Sequence, residues 1–166
     1  MLVRPAVTAD AAAAVIVLRA SITELCVADH QNDPAALARW LRNKTPETFR
    51  GWLADPENHI AVVEVDAQIC GVGALRRTAD LTLCYVAPGY QRAGVGHALL
   101  AALEAQARRW ELTTIRLTST ATARGFYEHH GFQFLGESDP PAFGLVRHYR
   151  YQKQLSHSAL DWSISP

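Results

Sequence analysis

The chain has 166 residues, 16 basic and 16 acidic side chains, and therefore a formal net charge of zero, with 49% apolar and 19% charged residues. That length fits one domain of about 100–200 residues, and the apolar share supplies a core that a disordered chain lacks. Without a basic excess there is no electrostatic footprint for nucleic acid, and no stretch approaches the ~20 apolar residues that span a bilayer, so neither is an expected partner.

Leu2–Ala6 reads as a short first strand, with Pro5 marking an edge or a strand end. Thr8 or Asp10 can cap a helix running to about Ala28, with Ala14, Leu18, Ile22 and Leu25 on one stripe. The Ala11–Leu18 run is short and follows Asp10 rather than a basic stretch, so it does not read as a secretory segment. A second helical region spans Asp33–Ala54, opened by Asp33-Pro34 and broken into two pieces by Pro46.

The period then changes to two. Ile60–Val65 and Ile69–Arg76 read as a hairpin joined through Asp66-Ala67-Gln68, and Asp80–Val86 as a third strand closed by Pro88-Gly89. Gly94–Trp110 is the clearest helix, with Val95, Leu99, Leu103 and Trp110 on one face and Glu104 and Arg108 as an exposed i,i+4 pair. Thr114–Thr118 reads as a strand, Ala121–His130 as a helix ended by Gly131, and Phe132–Glu137 and Leu145–Gln152 as two closing strands. Residues 1–153 thus read as one α/β domain with a mixed sheet, followed by a tail over residues 154–166 that can be loose or contact a partner. Cys26, Cys70 and Cys84 form an odd set without a C-x-x-C pair, which points to free thiols in a reducing compartment, the cytoplasm, and not to a metal site. His129 and His130 are adjacent on a helix and point about 100° apart, unlike paired i,i+4 ligands.

The chemistry concentrates between Val86 and Gly96. A helix's first turn carries backbone N–H groups without partners and the positive end of the macrodipole. Phosphate satisfies both where the backbone can come close, and Gly94 and Gly96 allow that approach, with Arg92 available as a charged contact. Gly89 and Gly94 have the spacing of a P-loop, but Val95 stands where its lysine belongs. Gly94-Val95-Gly96 begins like a dinucleotide fingerprint, yet Leu99 replaces the third glycine.

Read as Gln91-Arg92-Ala93-Gly94-Val95-Gly96 after Val86-Ala87-Pro88, the segment resembles the GCN5-related N-acetyltransferase (GNAT) family, whose pattern is Q/R-x-x-G-x-G/A at a strand–helix junction. Downstream, residues 123–132 match the family's A-x-x-F-Y-E-x-x-G-F, and the element order is also the family's, so the resemblance covers roughly residues 2–152. It implies a single-domain GNAT-like fold: a mixed, mostly antiparallel sheet with a splayed central strand pair and flanking helices. It implies an acetyl-CoA donor in the gap between Asp80–Val86 and Thr114–Thr118, with the pantetheine along Cys84, Tyr85 and Val86. The Val86 N–H would face the thioester carbonyl as an oxyanion donor. The amides of Gln91, Arg92, Ala93, Gly94, Val95 and Gly96 would hold the diphosphate. Thr120 stands where many members have a donor-contacting asparagine.

An acceptor amine of pKa ~10.4 is unprotonated only about once in 2,500 molecules at pH 7, so a base is useful. By resemblance Asp80 aligns with the family's glutamate base; strand alternation puts Asp80, Thr82 and Cys84 on one face, although Asp80 also fits an exposed turn residue. Glu24, Asp29 and His30 can reach the acceptor side but read as isolated surface residues. Tyr127 corresponds to the family's tyrosine aimed at the departing sulfur; a phenol of pKa ~10 is a weaker acid than a thiol of ~8.5, so its role is a hydrogen bond to developing thiolate with coupled proton delivery. The expected activity is acetyl transfer from acetyl-CoA to a primary amine by direct attack, without a metal. The alternative is a non-enzymatic acyl-CoA-binding regulatory module. The acceptor stays open among a small amine, an antibiotic, a peptide N-terminus and a lysine side chain, and a homodimer through the last strands and tail is compatible.

Overall fold

Seven strands form one sheet in the order β1-β2-β3-β4-β5-β7-β6. They are β1 Leu2–Pro5, β2 Asn58–Val65, β3 Gln68–Arg76, β4 Asp80–Val86, β5 Thr114–Ser119, β6 Gln133–Ser138 and β7 His148–Gln154. The computed structural model describes residues 1–138 and 147–156; the expected strand start at Leu145 and residues 157–166 of the expected tail lie outside them. All neighbouring pairs are antiparallel except β4 and β5. Pro5 ends the edge strand β1 opposite Ala61, where its missing N–H costs no interior ladder bond.

One face of the sheet carries α1 Ala11–Ala20, α2 Val27–His30, α3 Pro34–Leu41 and α4 Pro46–Ala54; the other carries α5 Val95–Arg109 and α6 Arg124–His129. The helix starts follow the sequence signals in the second helical region. Asp33 Oδ1 accepts from Ala35 N–H at 3.0 Å to start α3, and Thr45 Oγ1 accepts from Thr48 N–H at 3.2 Å to start α4. The single helix expected up to Ala28 is instead interrupted. A 3-10 turn at Thr8–Asp10 precedes α1, a π-helical turn at Ser21–Leu25 follows it, and α2 begins only at Val27. Asp10 does not cap α1: its carboxylate pairs with the Arg4 guanidinium at 2.7 and 2.9 Å and accepts from Val7 N–H.

The two layers approach closely where β3 has no side chains. A Cβ on Gly71 would lie 2.8 Å from Val95 Cγ1, and one on Gly73 would lie 2.8 Å from Leu103 Cδ1 and 2.9 Å from Leu99 Cγ. Helix α5 thus rests almost on the backbone of β3, burying Val95, Leu99, Leu100, Leu103 and Ala107. Glu104 is not the exposed partner expected from the pattern. It is 8% exposed and bonded to Lys153 Nζ at 2.6 Å as well as to Arg108 at 3.4 Å, tying α5 to β7. The tight seating of α5 fixes the position of its N-terminus, and through it the Gln91–Gly96 loop.

Candidate active site

The parallel pair β4/β5 is registered at only two positions, Asp80 with Arg116 and Leu81 with Leu117. Beyond Leu81 the strands diverge. The other edge of each strand stays fully laddered, β4 to β3 and β5 to β7, so the opening cannot close without breaking those ladders. A cavity of about 1030 Å³ occupies the opening, bounded by β4, the Gln91–His97 segment, Thr118, Thr120 and the Phe126–Tyr127 face of α6.

Along β4, successive N–H groups point to opposite edges of the strand. The N–H of Ala87 donates to Cys70 O on β3 at 2.8 Å, so the N–H of Val86 points the other way, into the opening. At the end of β4, Gly89 with φ +87° and Arg92 with φ +61° curl the chain around. The Gln91 side chain stabilises this curl from within, its Oε1 accepting from Gly89 N–H at 2.8 Å. Gly94 begins α5 in the left-handed region at φ +80°, and a Cβ on Gly96 would lie 3.1 Å from the Phe126 ring. The backbone N–H groups of Gln91, Arg92 and Gly94 donate to no acceptor among the described residues. Those of Val95 and Gly96 belong to the first helical turn, which has no intrahelical acceptor for them. The loop is therefore a cradle of outward N–H donors at a helix entrance, suited to an anion. Ala93 N–H is instead directed at Tyr90 O at 3.4 Å.

Tyr127 projects from α6 into the lining of the opening, is 6% exposed, and shares that lining with Cys84. Burial pushes the Tyr127 phenol well above its usual range and the Cys84 thiol up to about 12, so both hold their protons at neutral pH. Thr120 lines the cavity, but its Oγ1 accepts from Ala123 N–H at 3.2 Å and helps start the turn into α6.

Asp80 does not share a face with Cys84, as strict alternation predicts. A β-bulge at Thr82, where Leu75 pairs with Leu81 and Ala74 with Leu83, reverses the phase of β4. Leu81, Cys84 and Val86 therefore pack towards α5, while Leu83 and Tyr85 pack towards α1 and α3. Asp80 lies on the latter side, with Thr78 Oγ1 donating to Oδ2 at 2.7 Å and Arg116 Nη2 3.4 Å from Oδ1. It lines a second cavity of about 590 Å³, shared with Trp40, Arg116, His148, Arg150 and Tyr151. The two cavities have Leu81, Thr82, Tyr85, Thr118 and Thr120 in common, so they meet at the strand opening. Burial lowers the His148 pKa below its usual value, an effect opposed by the Asp29 charge, so the imidazole is neutral at pH 7. Nothing in the local pattern around His148 and Arg150 marks them as site residues; only the β5–β7 register brings them here.

Among the residues weighed for the acceptor side, Glu24 is exposed, but Asp29 and His30 are buried at 4% and 2% exposure. Asp29 accepts from Ala121 N–H at 2.6 Å, Thr122 N–H at 3.3 Å and Thr122 Oγ1 at 2.5 Å, holding the turn that leads into α6. His30 Nε2 lies 3.1 Å from Ile22 O and 3.2 Å from Thr23 O, while Nδ1 accepts from Asn32 N–H. His30 thus closes off carbonyls in the π-helical turn, which explains how that turn tolerates burial. His130 Nδ1 lies 2.8 Å from Phe126 O and its Nε2 lies 3.1 Å from His97 Nδ1, joining the end of α6 to the first turn of α5. Among the described residues no group of three or more His, Cys, Asp or Glu side chains is arranged to hold a metal ion, and no helix is long and apolar enough to cross a membrane.

Comparison with known proteins agrees with this geometry. No curated protein matches the chain significantly. Solved structures do. A GCN5-related N-acetyltransferase from Rhodopseudomonas palustris superposes with a TM-score of 0.82 at 20% identity, covering 93% of this chain and 95% of that one. The PaiA N-acetyltransferase of Thermoplasma acidophilum, solved in complex with coenzyme A, gives 0.79 at 17% identity over 93% and 98%. A ribosomal-protein-alanine N-acetyltransferase from Brucella melitensis gives 0.70 at 22% identity over 93% and 100%. At these identities the likeness establishes the fold. The model of the acetyltransferase (GNAT) domain matches residues 10–155, most of the chain. The chain belongs to the GNAT acetyltransferase family.

Proposed function

We propose that this acetyltransferase moves an acetyl group from acetyl-CoA to a primary amine by direct attack, with the donor in the larger cavity and the acceptor in the smaller. The observation that carries the reading is the meeting of the two cavities at a single opening, with a buried phenol on one side and a neutral imidazole on the other. The coenzyme A bound to the Thermoplasma relative adds support for the donor.

In this reading the N–H cradle of Gln91, Arg92, Gly94, Val95 and Gly96 binds the donor diphosphate, with the Arg92 side chain alongside. Ala93 contributes backbone shape rather than a free N–H. The pantetheine runs beside Cys84, Tyr85 and Val86, and the Val86 N–H polarises the thioester carbonyl as negative charge develops on its oxygen. Thr120 lines both cavities and keeps the two reactants adjacent. The amine nitrogen forms the new bond to the carbonyl carbon, the carbon–sulfur bond breaks, and CoA leaves as a thiol. Tyr127, protonated because burial raises its pKa, donates a hydrogen bond to the departing sulfur and supplies its proton.

The proton lost by the acceptor ammonium has two candidate destinations. Asp80, the expectation from the sequence, already has both carboxylate oxygens engaged by Thr78 and Arg116, so neither is free to face an acceptor. His148 is neutral, buried and cavity-lining, so we assign it the base role and give Asp80 that of holding Arg116. The test is release of free CoA thiol from acetyl-CoA by the purified protein across an amine panel. Acetyl-CoA that stabilises the protein thermally but is never turned over would instead support a regulatory acyl-CoA-binding module.

A further inference from the structure

We infer that the acceptor is a primary amine that also carries an anionic group, a carboxylate or a phosphate, bound by Arg150; the inference rests on the acetyl-transfer reading above. The acceptor-side cavity is lined by two guanidiniums, Arg116 and Arg150, against one carboxylate, Asp80, and by a neutral His148. Asp80 is spoken for by Arg116 and Thr78, and Arg116 also donates to Thr78 O at 2.6 Å. Arg150 has no hydrogen-bond acceptor or ion-pair partner among the described residues.

Its position is built. Arg150 lies opposite Thr118 on β5 and opposite Gly136 on β6, where a bulge between Phe134 and Gly136 shifts the register. Gly136 takes φ +132°, and a Cβ there would lie 3.4 Å from Arg150 Nη2, so the guanidinium lies over the backbone of β6. Thr118 lines both cavities, so Arg150 stands one strand-width, ~4.8 Å, from the opening where the amine attacks. An anion a few bonds from the amine can reach the guanidinium while the nitrogen reaches the thioester, with Trp40 and Tyr85 flanking the carbon stem. A polycation such as spermidine or an aminoglycoside instead meets, among the described lining residues, more positive than negative charge and no free carboxylate to receive its second ammonium.

The test measures thiol release with glycine, β-alanine and L-phenylalanine against their amides, with phosphoethanolamine and with spermidine, all compared per free amine. The wild-type protein is expected to favour an acid or phosphoethanolamine over the matched neutral amine by roughly 10- to 100-fold in kcat/KM, the worth of a charge-assisted contact. Whether the amino acids or phosphoethanolamine lead tells carboxylate from phosphate. In Arg150→Gln that ratio is expected to fall towards one, in Arg150→Glu to invert in favour of spermidine, and in Arg150→Lys to be partly kept. Amides or spermidine used as well as the acids by the wild-type protein would overturn the inference and leave acetyl transfer intact. A ratio unchanged in Arg150→Gln would overturn the role of Arg150. Thiol release with none of these amines would overturn both the inference and the reading beneath it.

Discussion

Replacing Asp29 by asparagine tests whether a carboxylate from the first helical region holds the catalytic helix in place. Asp29 is 4% exposed and accepts from two backbone N–H groups and one hydroxyl, at residues 92 and 93 positions further along the chain. An asparagine of the same shape retains one acceptor oxygen and turns an NH2 group towards a donor. One charge-assisted bond is lost, worth ~1.5–3 kcal/mol, and the others weaken to neutral bonds of ~1 kcal/mol. The relief of burying a neutral group offsets part of this, leaving a net loss of about 2–3 kcal/mol. For a chain of this size that is a fall in Tm of roughly 5–10 °C. Because the turn at Ala121–Thr122 leads directly into α6, which carries Tyr127, kcat is expected to fall on the order of 10-fold while the KM for acetyl-CoA stays within about twofold. Calorimetry and steady-state thiol release read the two effects separately. A variant with the wild-type Tm and kcat would refute the argument, since a removed buried carboxylate anchor cannot be silent on both.

Tyr127→Phe is expected to lower kcat on the order of 10²-fold with the donor KM little changed; a wild-type kcat across pH would remove the acid role. Gly94→Glu places a carboxylate at the anion cradle on a residue with φ +80°, and should abolish the thermal shift given by acetyl-CoA. Since burial lowers the His148 pKa, kcat/KM per free amine should lose activity only below pH 6.5, and His148→Gln should remove that acidic limb. The same shift makes the unfolded chain bind the proton more tightly than the folded one, so His148 should cost stability as pH falls from about 6.5 towards its folded pKa, a loss absent from His148→Gln in calorimetric scans. Gly73→Val drives methyl groups into Leu99 and Leu103 and should unfold the protein or cost at least ~3 kcal/mol in urea titrations.

What the sequence made legible divides along physical lines. Elements whose signals are local came through: the Asp33-Pro34 start, the break at Pro46, the Asp66-Ala67 hairpin with both residues at positive φ, and the extent of β4. The glycine-rich turn into α5 was equally readable as a turn with unpaired N–H groups, because helix-entrance N–H groups and glycines lie next to one another in the chain. Asp10 was misread because its partner, Arg4, is presented by β1 across the first turn and outcompetes the helix end. Asp29 and His30 resembled surface residues because what buries them, the turn at residues 121–122 and the π-helical carbonyls, depends on tertiary placement. The Asp80 face was inverted by one bulged residue, which no period-two pattern announces.

The acceptor side was the least legible for the same reason that it is suited to carry specificity. The donor site proposed above is assembled from contiguous backbone, whose N–H groups survive most substitutions of side chain. The acceptor-side cavity is assembled from side chains on α3, β4, β5 and the β6–β7 hairpin, brought together only by register. Arg116 and Arg150 can change without disturbing the loop or the strand opening, because their guanidiniums lie at an accessible rim and not in the packed core. A fold that holds one reactant by main chain and selects the other by removable side chains can keep its chemistry while its acceptor changes. Under the acceptor reading proposed above, the two guanidiniums against one carboxylate among the described lining residues would, more than the shared fold, set which amine approaches the thioester.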